Sequence, residues 1–134
     1  MDAAVITAWI LRGIVAIIFI GMGVNHFRPR AARGMARMIP PGLQADGLLA
    51  PINLVYFTGL CEVAGGVGIL IPLTRLAAAI ALVVFLIAVF PANAHAAANP
   101  ERFGRAAFPF WPRYIGQLVL IAIVMLAATL DARY

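Results

Sequence analysis

The stretch Ala3–Val24, AAVITAWILRGIVAIIFIGMGV, decides the fold: 22 residues broken by a single charge, Arg12. A helix crosses the hydrocarbon core of a bilayer with about 20 apolar residues, so this stretch reads as a membrane span. A secretory signal is the rival reading. The second residue is Asp2 rather than a basic n-region, the run exceeds the about 7–15 residues of an h-region, and Arg12 interrupts it. The segment is therefore expected to stay in the mature protein.

Three further apolar stretches follow. A basic segment, Phe27 to Pro51, carries Arg28, Arg30, Arg33 and Arg37 against Asp46 alone. Within it, residues 31–39 suit a short surface helix with Met35, Met38 and Ile39 facing lipid, ended by Pro40-Pro41-Gly42. A second span covers about 52–71 and is rich in glycine (Gly59, Gly65, Gly66, Gly68), which lets neighbouring helices approach closely. Pro72–Arg75 reads as a tight turn. The third span, about 76–98, contains Pro91 and is expected to continue past it with a kink. An aromatic, basic loop leads to a fourth span at about 114–130, with Pro112 in its first turn. The expected architecture is all-α, a single antiparallel up-down four-helix bundle within a membrane.

Composition agrees with that reading. The chain is 64% hydrophobic and 11% charged, with a mean hydropathy of +1.00, against about 45–50% and about 25% in soluble domains. The net charge of +5 comes from ten arginines and no lysine. They flank apolar runs, so they read as topology signals and anchors for anionic lipid, and nucleic acid is not an expected partner. Seven of them (Arg28, Arg30, Arg33, Arg37, Arg102, Arg105, Arg113) fall in the two long loops, and Arg75 and Arg133 fall on the opposite side. The positive-inside rule then puts the long loops in the cytoplasm and both termini outside; arginine without lysine, with abundant alanine, suggests a GC-rich bacterial genome and so a bacterial inner membrane. Cys61 is the lone cysteine and forms no internal disulfide.

Polar residues inside spans are the candidate site. Arg12 lies nine residues from the start of span one and Glu62 nine residues before the end of span two. Each is then roughly 14 Å below the same surface, and an unpaired charge there costs at least about 2.5–3.5 kcal/mol. A mutual Arg12–Glu62 ion pair is the expected solution, either as a structural register device or as part of a proton or ligand site. A second cluster gathers near the long loops: His26, Tyr56, Thr58, Asn93, His95 and Gln117. Together these suggest a polar pocket opening from the loop side. The two histidines have no fixed spacing for haem, and a metal would need more ligands than are visible. No nucleophile–base triad or phosphate loop appears, so the chain does not read as a self-sufficient enzyme.

At these residues the chain resembles the DoxX family of small bacterial membrane proteins. The likeness rests on Arg12, on Gly23-Val24-Asn25-His26-Phe27, on Ile39-Pro40 and on Tyr56 to Leu70 with its Thr-Gly-x-x-Glu-x-x-Gly-Gly core. Pro72-Leu73-Thr74-Arg75 and Phe90-Pro91-Ala92-Asn93 complete it. The resemblance implies a four-helix membrane bundle, motif residues Arg12, His26, Glu62 and Asn93, and a loose link to membrane oxidoreductases, including quinone-reducing ones. The expected role is a non-catalytic small subunit or a quinone- or lipid-binding component, with His26 and Asn93 bonding ring carbonyls. The other expectation is an assembly or scaffold protein that binds a partner's helices through the glycine-rich face. The partners expected are the bilayer and a membrane protein or a second copy of the chain.

Overall fold

The structure, a computed structural model, describes residues 2–131; Arg133 of the topology count lies outside them. Among the described residues the chain is helical with no strand. Its α-helices are α1 (Ala3–Asn25), α2 (Pro29–Met38), α3 (Pro51–Gly68), α4 (Arg75–Ala98), α5 (Pro100–Phe103) and α6 (Phe110–Thr129). Three of them, α1, α4 and α6, are long and apolar enough to cross a membrane. The fourth long helix, α3, is shorter at 18 residues and carries Asn53 and Glu62.

Local chemistry sets the helix ends. The Asp2 carboxylate accepts from the Val5 N–H at 3.0 Å and caps α1, satisfying one of the orphan donors of the first turn. Prolines open α2, α3 and α5, where a missing N–H costs nothing. Helix α3 ends at Gly68, three residues short of the expected boundary, and Thr74 Oγ1 donates to Gly68 O at 2.9 Å to close the turn. Helix α4 runs continuously through Pro91 to Ala98. Helix α6 starts at Phe110, four residues before the expected start, with Pro112 in its first turn.

Glycines set how closely the helices approach. A Cβ on Gly59 would lie 2.5 Å from His26 Cβ, and one on Gly66 would lie 2.9 Å from Ile20 Cγ1, so α1 and α3 run in opposite directions in close contact. On the other face of α3, Gly65 meets the Leu82 side chain and Gly68 meets Ala78 of α4. Helix α6 packs on both α1 and α4, so each of the four long helices touches two others. The core between them is Val15, Ala16, Phe19, Ile69, Ala79, Leu82, Phe85, Leu86, Val124, Ala127 and Ala128. It lies mainly toward the end that carries the 69–74 turn.

That same end holds two buried arginines. Arg12 donates from Nε to Ala127 O and from Nη2 to Leu130 O, both at 2.9 Å. Arg75 Nε donates to Ile69 O at 3.3 Å. Each guanidinium thus serves the carbonyls at a helix C-terminus, which lack partners within the helix and favour positive charge. Trp9 bridges them, with its ring centroid 5.1 Å from the Arg12 guanidinium carbon and 5.7 Å from that of Arg75.

Candidate ligand site

The Glu62 carboxylate faces His26 rather than Arg12. His26 is buried just past the end of α1, and its Nε2 lies 2.9 Å from Glu62 Oε2. The contact is off the line of a ring N–H, so charge and proximity hold the two more than an aligned hydrogen bond does. The expected Arg12–Glu62 partnership is corrected by helix register. Gly59 and Glu62 pack beside Gly23 and His26, and Gly66 beside Ala16 and Ile20. This register leaves Arg12 about 21 Å along the α1 axis from His26. Equal depth requires α3 to reach residue 71, but it stops at Gly68.

The imidazole is oriented by its other nitrogen. His26 Nδ1 is 2.9 Å from Val55 O, a carbonyl that only accepts, so Nδ1 carries a hydrogen. Thr58 Oγ1 donates to the same carbonyl at 2.9 Å and lies 3.2 Å from Nδ1, so it also accepts from the ring. With Nδ1 turned to Val55 and Thr58, Nε2 is the ring nitrogen that faces the Glu62 carboxyl group.

This pair lies on the wall of a cavity of about 610 Å³. Phe19, Phe85, Leu86 and Leu120 form its inner walls. Met35 and Met38 of α2, with Ile39 and Leu43 of the following linker, cover it from the loop side. Met35, Met38 and Ile39 were expected to face lipid. Instead Ala32 buries α2 against the rest of the chain and turns Met35 and Met38 inward, while Arg30, Arg33 and Arg37 stay exposed. A second polar group lines the cavity: Arg113 Nη1 donates to Asn93 Oδ1 at 2.7 Å. Arg113 was expected only as a topology signal in the loop; it falls inside α6, next to the first-turn Pro112.

Of the expected pocket residues, His26, Thr58 and Asn93 line the cavity and Tyr56, His95 and Gln117 do not. Helical phase accounts for two of these corrections. Val55, Thr58 and Glu62 share one face of α3, while Tyr56 turns outward and stacks on Phe27 at 5.9 Å between ring centroids. His95 is two residues beyond Asn93, about 200° around α4, and packs edge-on against Phe103. Gln117 is half-buried outside the lining.

The family described as Domain of unknown function (DUF8561) matches residues 15–128, from the middle of α1 through α3 and α4 almost to the end of α6. The chain belongs to the DUF8561 family. This overturns the DoxX resemblance. Three glycines of the motifs that suggested it are packing devices: Gly59, Gly65 and Gly66 are where neighbouring helices come too close for a Cβ. Any tightly packed set of apolar helices needs such glycines, so they do not discriminate between families. No curated protein and no solved structure matches this DUF8561 chain. The oxidoreductase link came from the resemblance alone and loses its basis with it. The glycine-rich face of α3, expected as a partner surface, is filled by α1 and α4.

Proposed function

We propose that this DUF8561 protein is an integral membrane protein that holds a small apolar molecule with a polar end, quinone or lipid in class. Its four long helices form an antiparallel up-down bundle, and the site lies inside the loop-side half. The observation that carries this reading is the cavity of about 610 Å³ with His26–Glu62 and Asn93–Arg113 on its wall. Sites for drug-sized ligands enclose about 300–1,000 Å³, mostly apolar with a few placed polar groups, and this one has that make-up.

Several features support the membrane setting. The outer faces expose Ile10, Ile17, Leu60, Ile80, Val84, Ile87 and Val119, and soluble proteins rarely leave contiguous apolar patches of more than a few hundred Å² uncovered. Helix α3 turns Glu62 inward and is about 27 Å long by its 18 residues, near the about 30 Å of a hydrocarbon core. The arginine count supports long loops in the cytoplasm and termini outside, and the membrane we propose is a bacterial inner membrane. We assign binding rather than turnover to the site.

A scaffold role on partner helices, or self-association, is the second reading. It would use outward glycines such as Gly13, Gly21 and Gly116, which have open space around them. The two readings separate by organic extraction and mass spectrometry of the protein purified in nonionic detergent. The binding reading expects one small molecule in near-stoichiometric amount. A stoichiometric protein partner with no small molecule would replace it with the scaffold reading.

A further inference from the structure

The charges around the cavity limit what it holds. Three ionisable side chains are among the described residues that line it: His26, Glu62 and Arg113. His26 and Glu62 face each other at 2.9 Å. Arg113 does not titrate in a protein, so it is the permanent cation among these three lining side chains. The Asn93 Oδ1 accepts from Arg113, and the same side chain carries an amide NH2 donor. This polar group therefore consists of donors: a guanidinium beside an amide NH2.

Its place in the fold adds direction. Arg113 sits in the first turn of α6, beside an aromatic cluster of Phe90, Phe110, Trp111 and Tyr114 with ring centroids 5.3–6.1 Å apart. Aromatic rings of this kind gather at headgroup level. The apolar walls made by Phe19, Phe85 and Leu86 lie deeper, toward the core. The α2 helix that covers the cavity keeps Arg30, Arg33 and Arg37 outside. A rim of one charge sign concentrates ligands of the opposite sign.

We infer that the cavity takes a single-chain amphiphile with an anionic head, the head on Arg113 and Asn93 and the chain running inward between Phe19 and Phe85. This rests on the binding reading above and narrows its ligand class. A bidentate guanidinium site suits a carboxylate or a phosphate equally, and the shared chemistry is an oxyanion on an alkyl chain.

The test is displacement of 11-(dansylamino)undecanoate from the full chain in nonionic detergent, followed by fluorescence. Palmitate, hexadecyl phosphate and methyl palmitate are the three competitors. The expected result is that at least one of the two anions displaces the probe about tenfold or more better than methyl palmitate, and which one does so distinguishes a fatty-acid from a phosphate-headed source. Arg113→Gln removes that preference while methyl palmitate binds as before, which also shows that the variant is folded; Arg113→Lys keeps part of the preference. Equal binding of ester and anions, or an anion preference that survives Arg113→Gln, overturns the inference and leaves the cavity reading standing. If the probe does not bind and neither competitor class does, the binding reading itself fails.

Discussion

At the end that carries the 69–74 turn, α1, α3, α4 and α6 meet through alanine and glycine, and the side chains Val15, Leu82 and Val124 are fully or almost fully buried. At the loop end the same helices line a cavity of about 610 Å³, covered by the amphipathic α2. Buried charge is also used differently at the two ends. Arg12 and Arg75 serve carbonyls at helix ends beside Trp9. His26 and Glu62 face each other on the cavity wall. Tight packing at one end holds the helices in register, and that register is what fixes the polar groups of the open end.

Substitutions can break this contrast, and the largest effect is expected at the charged pair. His26→Leu leaves the buried Glu62 carboxyl group without its partner and should cost about 3–5 kcal/mol. Adding Glu62→Gln should recover most of it. Thermal unfolding of single and double variants in detergent measures this, and a double variant no more stable than His26→Leu would show that the two residues are not coupled.

In the tight half, Leu82→Ala removes a side chain packed on all sides and should cost about 3 kcal/mol. Gly66→Val forces a side chain against Ile20 and the Ala16 carbonyl and should cost about 2 kcal/mol. The smallest effect belongs to the open half. Met38→Ala trims a cavity wall whose side chain already lacks partners on one side, and the expected loss is below about 1 kcal/mol. If Met38→Ala and Leu82→Ala cost the same under chemical denaturation, the two halves are not packed differently.

The helices were legible because long apolar runs, a glycine-rich stretch and proline punctuation mark them without reference to partners. The arginine pattern of 28–37 gave α2, but not which way its methionines point, because that depends on a neighbouring surface the sequence does not display. The candidate site was legible residue by residue in His26, Thr58, Glu62 and Asn93, but the pairing was not. Depth counted from span ends assigned Glu62 to Arg12, whereas the true register is set by the contacts of Gly59 and Gly66 with α1. Gly23 and His26 share one face of α1, and Thr58, Glu62 and Gly65 share one face of α3. Matching glycine to glycine across those faces would have brought His26 to Glu62.

The most direct test of the cavity is to fill it. Ala92 lines the space on α4, and Ala92→Trp puts an indole into it without touching the tight half. Native mass spectrometry of the wild-type chain and of Ala92→Trp, released from the same detergent, compares their bound mass. The account predicts a small molecule retained by the wild type and absent from a folded Ala92→Trp. A wild type that carries nothing, or a variant that retains the same molecule in the same amount, would contradict it.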